Sequence, residues 1–383
     1  MSGPSLRSPP LLPDKLDVLV LGAGPSGAVA ASCLAEHCRV ALVGRAHTGH
    51  IIGEALVSSA RVILRDLDLW DAFQAQGHRP AWSRLSVWGS SDVKLQDAIS
   101  DPHGPGWHLD RARFEAMLRR ASQRRGALCI VPAQVRQLGR GHSSDGLPWS
   151  CKVELINGIW NLRCRFIVDA TGRSARIARR SGLDIRRHDK LVCQYCWLRS
   201  SSQPHPGATL IEAAQDGWWY SADLPDGTSV IAWYCDSDLI GRKRMRDATD
   251  LLSRARRTTL IRSRCRDVQW LEPMRATPAH SQSLLRASGE NWLAVGDACL
   301  AFDPLASQGL LHSLITGRLA ALKVLAHLDG NHYALQEWNE YIQSIIAPYL
   351  ANYKSYYAME QRWTHEEFWK RRHATEADSV PSP

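Results

Sequence analysis

The chain has 383 residues, of which 44% are hydrophobic and 22% are charged. This composition is typical of a globular protein and excludes intrinsic disorder, collagen and a coiled coil for the bulk of the chain. The length predicts two or three domains, or one large core with an insertion. Two features are unusual: the 15 tryptophans outnumber the 9 tyrosines and the 5 phenylalanines, and the formal net charge is +9.

The chain begins with a segment that is rich in proline and serine and lacks the apolar stretch of a secretory signal. We expect residues 1–14, like residues 375–383, to be a disordered tail. Residues 18–35 then form an uncharged run of 18, which is near the minimum for a membrane span. The glycines and the proline in this run favour a buried strand, a turn and a helix, so we expect no membrane segment.

The turn within this run carries the pattern Gly-Ala-Gly-Pro-Ser-Gly at residues 22–27. A short apolar strand is predicted before it at residues 17–21, and a helix of small residues after it at residues 28–36. A second strand follows at residues 39–43. This order of strand, glycine-rich turn, helix and strand is the start of a dinucleotide-binding fold for either NAD or FAD.

Each glycine of this pattern has a physical reason. The first permits a tight turn, the second lets the backbone approach a pyrophosphate, and the third lets helix and strand pack closely. The helix N-terminus then faces the phosphates. No acid follows the second strand to bind ribose hydroxyls, so Arg45 is a candidate for an adenosine-side contact, unless the backbone alone holds the ribose. The predicted contacts at the turn are Gly22, Gly24, Pro25, Ser26 and Gly27.

Three further segments distinguish between the two cofactors. Residues 166–174 form a strand that ends in Asp-Ala-Thr-Gly-Arg, residues 291–298 lead into Gly-Asp-Ala, and residues 303–310 lead into a helix. Together with the first turn they resemble the flavoprotein monooxygenases built like p-hydroxybenzoate hydroxylase and the flavin-dependent halogenases. The resemblance implies FAD and an α/β fold. In that fold, a GR2-type, Rossmann-like FAD-binding domain carries an inserted antiparallel β-sheet substrate domain and C-terminal helices.

The resemblance also implies FAD contacts outside the first turn. Asp297 would hold a ribityl hydroxyl, and Arg111 would contact the phosphate region. The loop with Glu54 and Ala55 would run along the flavin. The helix N-terminus at Gly309 would lie against the isoalloxazine, because a helix N-terminus stabilises the anionic reduced ring. The remaining implied contacts are Pro304, Gln308 and Leu310 at that helix, and the backbone of Val135 at the adenine.

The same resemblance divides the chain into discontinuous units. Alternating strands at residues 191–198, 217–224 and 229–236, with a Pro-Asp-Gly turn at residues 225–227, support the inserted sheet. The aromatic residues near the C-terminus recur at helical spacing and form either a core stripe or a wall beside a peptide-binding groove. The predicted units are the FAD-binding domain (15–80, 106–188 and 289–330), the substrate-domain sheet with basic helices (81–105 and 189–288), and the C-terminal helices (331–374).

Tryptophan-rich phrases at residues 107–111, 217–221 and 362–372 narrow the resemblance. They resemble the LodB, GoxB and QhpG group of halogenase-related flavoproteins, which act on a protein tryptophan in tryptophylquinone biogenesis. This group implies an FAD-dependent monooxygenase that hydroxylates a tryptophan of a protein substrate, with a second round giving the dihydroxylated ring. Within the group, the resemblance favours the enzyme that acts on the small subunit of a quinohemoprotein amine dehydrogenase, in biogenesis of its cysteine tryptophylquinone.

Two alternatives remain open. The first is a halogenase or hydroxylase of a small indole or aromatic compound. Halogenases carry activated halogen on a lysine, and Arg84 falls at the corresponding position. A guanidinium cannot be deprotonated near neutral pH, although Lys94 follows in the same segment. The halogenase pattern Trp-x-Trp-x-x-Ile-Pro is absent. The second alternative is a non-catalytic flavoprotein chaperone that binds a partner polypeptide.

The implied chemistry needs few catalytic groups. Reduced FAD and O2 would give a C4a-(hydro)peroxyflavin, whose distal oxygen is transferred to the electron-rich indole. A base could assist by removing the ring proton. The candidate catalytic residues are His312, Glu54 and Gln308. The sequence holds no second nucleotide-binding unit, so NAD(P)H reduces the flavin either directly or through a separate flavin reductase.

The positive charge is concentrated at residues 242–266, which hold ten Lys and Arg but only two Asp. This basic segment is either a solvated pair of helices or a docking surface for an acidic polypeptide, which a maturation partner could present. Nucleic acid is disfavoured because no recognition motif accompanies the charge. Many tryptophans fall in the inserted sheet and the C-terminal helices, and we interpret this excess as substrate recognition.

The ten cysteines show no disulfide framework. The one close pair, Cys193 and Cys196, has no second pair at zinc spacing, so we expect no metal site. Reduced thiols are typical of the cytosol, and we therefore expect a cytoplasmic protein.

Overall fold

The structure is a computed structural model that describes residues 13–45, 49–141, 145–156, 158–201, 204–243 and 245–374. Residues 1–12 and 375–383, most of the two predicted tails, lie outside these ranges. The strands, in chain order, are β1 (Lys15–Leu21), β2 (Val40–Val43), β3 (Ala55–Leu56), β4 (Arg79–Ala81), β5 (Ser83–Val87), β6 (Lys94–Asp97), β7 (Gly106–His108), β8 (Leu128–Ile130), β9 (Gln134–Arg140), β10 (Trp149–Leu155), β11 (Gly158–Asp169), β12 (Ile185–Arg187), β13 (Leu191–Ser200), β14 (Ala208–Ala214), β15 (Gly217–Asp223), β16 (Ser229–Asp236), β17 (Val268–Leu271), β18 (Arg275–Pro278), β19 (Gln282–Leu284), β20 (Ser288–Gly289), β21 (Trp292–Ala294) and β22 (Leu300–Ala301). The α-helices are α1 (Pro25–Leu34), α2 (Ala60–Asp66), α3 (Trp70–Gln74), α4 (Arg111–Arg124), α5 (Arg176–Arg180), α6 (Ile240–Lys243), α7 (Ala248–Ala255), α8 (Gly309–Leu328), α9 (Ala334–Ala358) and α10 (Glu367–His373).

The first sheet has a parallel core in the order β8–β2–β1–β11–β21, to which the antiparallel strands β9, β10 and β20 are attached. Leu21 of β1 pairs with both Val43 and Asp169, so the chain leaves these three strands at one edge of the sheet. The carboxyl ends of parallel strands are where open α/β sheets bind their ligands. The predicted strand, turn, helix and strand are therefore confirmed, with α1 starting at Pro25 because proline suits the first helical turn.

The turn between β1 and α1 tolerates no side chain at two positions. Gly22 has φ of +111°, and a Cβ on it would lie 2.1 Å from the carbonyl oxygen of Ala170. A Cβ on Gly27 would lie 1.9 Å from the carbonyl oxygen of Gly22. These contacts fix how closely α1 packs against β1 and β11.

Helix α8 packs across α1 at a third glycine. A Cβ on Gly317 would lie 2.6 Å from the carbonyl oxygen of Ser26 and 3.0 Å from Cβ of Val29. By length and composition α8 could cross a membrane, but half of its apolar window is buried inside this fold. The packing brings the N-termini of α1 and α8 to the same side of the first sheet.

The second sheet has the order β17–β13–β16–β15–β14–β5–β6, and β18 also pairs with β13. Its ladders are antiparallel except β14–β5, which is parallel. The sequence predicted an antiparallel sheet throughout. The exception arises because β5 comes from a distant part of the chain, so no hairpin sets its direction relative to β14.

Side chains alternate between the two faces of this sheet, as the strand period requires. Trp218 pairs with Tyr234 on one face, which we call the near face. Trp219 pairs with Trp233 and with Glu212 on the opposite, far face. The two faces therefore have separate roles.

Most of the basic segment covers the far face. Glu212 accepts backbone N–H bonds of 2.6 to 3.2 Å from residues 259–261, and Arg254 lies 4.6 Å above the Trp233 ring. Arg264 forms an ion pair with Asp223 that is almost fully buried. Part of the charge concentrated here is thus internal. The basic segment therefore packs on the far face of the second sheet.

The tryptophans are largely core residues, which corrects their interpretation as a recognition surface. Six of them are among the largest fully buried side chains of the described residues: Trp197, Trp218, Trp219, Trp233, Trp338 and Trp369. In the C-terminal helices, Tyr349 and Tyr357 are also buried, whereas Tyr356 is exposed. A stripe of helical aromatic residues is therefore mainly packing.

The Arg264–Asp223 ion pair gives a direct test of this packing. We expect Arg264→Ala to lower the free energy of unfolding by about 3–5 kcal/mol, because it leaves the buried Asp223 carboxylate with only the more distant Arg79, at 3.7 Å, as a cationic partner. Arg262→Ala, two residues earlier and exposed, should change it by less than about 0.5 kcal/mol. Urea denaturation of both variants measures the difference. Equal effects would contradict a structural role for the buried pair.

Candidate functional site

A cavity of about 440 Å³ lies between the carboxyl edge of the first sheet and the near face of the second. The turn before α1, the loop at residues 51–55, and the turn before α8 form its walls. Gly22 and Gly27 do not line it but shape the turn behind it. The predicted contacts that do line it are Gly24, Pro25, Ser26, Glu54, Ala55, Arg111, Asp297, Pro304, Gln308, Gly309 and Leu310.

The end of the cavity at α1 suits a diphosphate. No atom lies within 4 Å of the position that a Cβ on Gly24 would take, so the backbone is open to a ligand there. The N-terminus of α1 faces this space with free backbone N–H groups. Nε of Arg111 is buried and has no hydrogen-bond partner. These donors match the phosphate groups of a dinucleotide.

Arg111 also holds the loop that runs along the cavity. Its Nη1 donates to the carbonyl oxygen of Gly53 at 2.5 Å, and its Nη2 pairs with Glu115 at 2.6 Å. Both residues line the cavity, and Glu115 was not predicted. The sequence could have indicated Glu115 through its spacing, because it lies one helical turn after Arg111 on α4 and can pair with it.

Asp297 is held by an arginine that sequence reasoning left unassigned. Arg173 pairs with Asp297 at 2.5 Å, and it also donates to the carbonyl oxygens of His280 and Phe302 at 3.1 Å. Arg173 belongs to the Asp-Ala-Thr-Gly-Arg turn after β11, where Asp169 accepts three hydrogen bonds. The turn was recognised from the sequence, but the direction of the Arg173 side chain was not.

Asp303 is a second carboxyl group at the cavity wall. It accepts hydrogen bonds from the backbone N–H of Leu305 at 2.8 Å and from the hydroxyl of Tyr357 at 2.9 Å. Complete burial raises the pKa of Asp303 to about 7. Its backbone N–H donates to the hydroxyl of Tyr349. The C-terminal helices therefore reach the cavity through Tyr349 and Tyr357.

Glu54 of the loop at residues 51–55 lies beside buried polar side chains on the near face of the second sheet. Glu54 accepts a bond from the N–H of Gly53 at 3.0 Å, and burial raises the pKa of its carboxyl. The hydroxyl of Tyr220 faces the Glu54 carboxyl and partly lowers its pKa again. Neither Oε1 of Glu54 nor the Tyr220 hydroxyl, however, has a hydrogen-bond partner of good geometry. Burial likewise raises the pKa of Tyr220, Tyr234 and Cys193. The Glu54 carboxyl is thus buried at the cavity with Oε1 left without a hydrogen-bond partner.

A second cavity of about 350 Å³ adjoins the first, and Ala55 and Ser307 line both. Arg84 of β5 and Thr209 of β14 are paired residues on one sheet face, and both line the second cavity. The backbone of Arg84 pairs within the sheet, but its guanidinium makes no hydrogen bond or ion pair with the described chain. No lysine lines either cavity among the described residues.

Three predicted site residues lie away from the cavity. His312 is buried behind Phe302, with ring centroids 4.8 Å apart, and burial lowers its pKa to about 4. Because His312 does not reach the cavity wall, the structure gives it no role as a base. The carbonyl oxygen of Val135 accepts two bonds of 3.3 Å from Arg176 outside the cavity. Arg45 is exposed at the end of β2. The adenosine contacts of Val135 and Arg45 stay predictions.

Comparison with known proteins supports FAD as the cofactor. A family model described as "FAD binding domain" matches residues 15–366. The chain belongs to this family. LodB of Marinomonas mediterranea, named as an FAD-dependent oxidoreductase, is 28% identical over 370 residues that cover 95% of this chain and 98% of LodB. The predicted membership of the superfamily is confirmed, and the chain is a flavin-dependent monooxygenase of this family.

Two solved structures share the fold. The myxobacterial chondrochloren halogenase CndH, described as an FAD-dependent halogenase, superposes with a TM-score of 0.83 at 23% identity, over 96% of this chain and 87% of CndH. QhpG, described as a peptidyl tryptophan dihydroxylase essential for tryptophylquinone cofactor biogenesis, gives a TM-score of 0.76 at 24% identity, over 94% and 79% of the two chains. The predicted α/β fold class is confirmed.

The open space at Gly24 provides a clean test of FAD binding. We expect Gly24→Val to weaken FAD affinity at least about 100-fold, because the side chain fills the space for the phosphates without touching the protein. Gly141→Val, at an exposed glycine that is also free of neighbours, serves as the control. Flavin absorbance of the purified proteins and their circular dichroism measure binding and folding. A folded Gly24→Val protein that is as yellow as the control would contradict the assignment.

Proposed function

We propose that this enzyme hydroxylates a tryptophan of a polypeptide substrate, in two rounds, as a step in the biogenesis of a tryptophylquinone cofactor. The favoured substrate is the small subunit of a quinohemoprotein amine dehydrogenase, whose cofactor is cysteine tryptophylquinone. The relatives named LodB and QhpG support this choice. FAD, when bound and reduced, supplies the activation of O2.

The observation that carries this proposal is Arg84 at the second cavity. A lysine there could carry halogen as a haloamine, but a guanidinium stays protonated and is a poor nucleophile. Lys94 is exposed on β6 and lines neither cavity. A planar cation can instead stack on the electron-rich face of an indole. Direct oxygen transfer to the ring therefore fits this site better than halogen transfer.

Halogenation of an aromatic substrate is the second candidate function. The fold similarity to the halogenase CndH supports it, and its TM-score exceeds that of QhpG. Fold similarity at this identity leaves the chemistry open, because one fold supports several reactions. The residues at the cavities favour hydroxylation.

The residues of the chain have three tasks in this reaction. Arg111 and the turn at Gly24 would hold the phosphates of FAD, and the N-terminus of α8 at Gly309 would supply its positive end to the reduced flavin. The near face of the second sheet excludes water with Trp218 and its neighbours. Glu54 accepts the proton that the ring loses as its aromaticity is restored.

We also propose a cellular location, a source of electrons and a charge for the substrate. The ten cysteines all lie in the described part of the chain and are free thiols, which supports a cytoplasmic location. Electrons would come from NAD(P)H, either directly or through a separate flavin reductase. The substrate is proposed to be acidic, and a maturation partner could present it.

The product mass distinguishes the candidate functions. The enzyme is incubated with the small-subunit polypeptide, O2 and a flavin-reducing system, with and without chloride or bromide. We expect oxygen-sized mass increments on a tryptophan that do not depend on halide. A halide-dependent mass gain would establish the halogenase. Binding of the polypeptide with no mass change would instead indicate a chaperone.

Replacement of Glu54 tests its role as a base. We expect Glu54→Gln to keep FAD bound and to lower kcat by about 10²- to 10⁴-fold, the range for loss of a positioned base. Because burial raises the pKa of Glu54, the wild-type rate should increase with pH above the usual range of a carboxyl group. The variant should lose this increase. A variant with the wild-type pH profile would show that Glu54 only positions the flavin.

A further inference from the structure

The loop at residues 51–55, which lines the first cavity, is held from both sides. On the side of the first sheet, Arg111 donates to the carbonyl oxygens of Ile52 and Gly53. On the other side, Ile52 packs against the core that the second sheet builds. His50 directly precedes this loop and connects it to the second sheet through both of its ring nitrogens.

Two carboxylates from the second sheet face the His50 ring. Nε2 lies 2.9 Å from Oδ2 of Asp226, in the turn between β15 and β16. Nδ1 lies 3.1 Å from Oε1 of Glu272, which follows β17. The other oxygen of each carboxylate has its own partner. Oδ1 of Asp226 accepts the N–H and the hydroxyl of Thr228, and Oε2 of Glu272 pairs with Arg275 at 3.2 Å. Both carboxylates are therefore held in place by groups other than His50.

This bridge requires a protonated ring. A carboxylate only accepts hydrogen bonds, and a neutral imidazole has one N–H donor, so a neutral His50 can bond to only one of the two carboxylates. An imidazolium has two donors and satisfies both. Burial by itself would lower the pKa of His50, but the hydrogen bonds and charges of Asp226 and Glu272 outweigh burial and raise it. The bridge is therefore complete below this raised pKa, and one of its bonds is lost as the pH rises through it.

The groups around the bridge keep their own charge near neutral pH. The His50 ring stacks on the buried Trp197, with centroids 5.1 Å apart and planes at 25°. Arg275 lies 5.4 Å from the centroid of that indole, and Arg199 donates to a backbone carbonyl of the turn after β15. Tyr195 meets the same indole edge-on, and burial raises the pKa of its hydroxyl. Because arginine stays protonated, His50 is the group of this set that changes charge near neutral pH.

We propose that protonated His50 is a positioning residue, which fixes the loop at residues 51–55, and with it the Glu54 carboxyl, against the second sheet. The carbonyl oxygen of Glu54 accepts the N–H of Leu109 at 2.9 Å, so the loop is anchored at its far end by the first domain and at its near end by His50. Loss of the His50 proton releases one of the two carboxylates and loosens the near end. This inference concerns the cavity wall and does not depend on which substrate the enzyme takes.

Hydrogen exchange of residues 50–55 in the FAD-loaded enzyme measures how often the loop opens. Exchange is followed at about pH 6 and about pH 9, on either side of the His50 titration, and is corrected for the intrinsic rate at each pH. We expect the protection of the wild-type loop to fall at least about threefold at the higher pH. A hydrogen bond between charged groups would give a larger change, but partial exposure to water screens this one.

Two single variants separate the charge of His50 from its shape. His50→Gln keeps a hydrogen-bond donor but not the charge, so its loop should open at the lower pH as the wild-type loop does at the higher pH. His37→Gln makes the same change at an exposed histidine outside the bridge and should behave as the wild type does. Circular dichroism and flavin absorbance confirm that each protein is folded and loaded with FAD.

A double-mutant cycle removes the contribution of Glu54, whose pKa is also raised by burial. It compares the wild type with His50→Gln, Glu272→Gln and the variant that carries both changes. At the lower pH, the effect of Glu272→Gln should be at least about threefold smaller when His50 is already replaced, because both changes break the same ion pair. This coupling should decrease at the higher pH. Glu54 is present in all four proteins, so its titration cancels.

Several outcomes would overturn the positioning role of His50. Equal protection of the wild-type loop at the two pH values would do so without any variant. The same pH dependence in His50→Gln as in the wild type, or independent effects of His50→Gln and Glu272→Gln at the lower pH, would also do so. An equal loss of protection in His37→Gln would show that the change is not specific to the bridge. None of these measurements involves turnover, so failure of the proposed function would leave this role standing.

Discussion

The close packing of α8 across α1 is the constraint on which the site depends. Gly317 permits it, because any side chain there would overlap the carbonyl of Ser26 and the side chain of Val29. The packing brings the N-termini of α1 and α8 to one cavity. Both ends carry partial positive charge, which suits the phosphates and the anionic reduced flavin. A wider separation would leave one of these two charges without its stabilising helix.

The second sheet divides its two faces between catalysis and support. Trp218, Tyr220 and Tyr234 close the cavity from the near face, while Trp219 and Trp233 anchor the basic segment on the far face. The excess of tryptophan is therefore mostly structural, and so is part of the excess of arginine. At the other end of the sheet, Arg84 of β5 lines the second cavity and the four residues of β6 are exposed. Among the described residues, Ala55 and Ser307 line both cavities and so connect them.

The sequence was sufficient for those features that a short motif encodes. The glycine turn, Asp297 and the turn before α8 follow from local chemistry, and the structure brings them to one cavity. Arg173 and Glu115 required the tertiary structure, because only the packed chain shows which carboxylate an arginine meets. The prediction of His312 as a base also needed the tertiary structure. Its position one turn into α8 does not reveal that Phe302 lies between its ring and the cavity. Burial of individual tryptophans was equally invisible, because strand alternation does not show which layer covers each face.

The central claim is that this chain inserts oxygen from O2 into a tryptophan of a polypeptide. Turnover under isotopically heavy O2 in ordinary water, followed by mass spectrometry of the tryptic peptides, tests it most directly. We expect the hydroxylated tryptophan to carry the heavy isotope at each added oxygen, with or without bromide. A product whose oxygen comes from water, or a brominated tryptophan in place of a hydroxylated one, would contradict it.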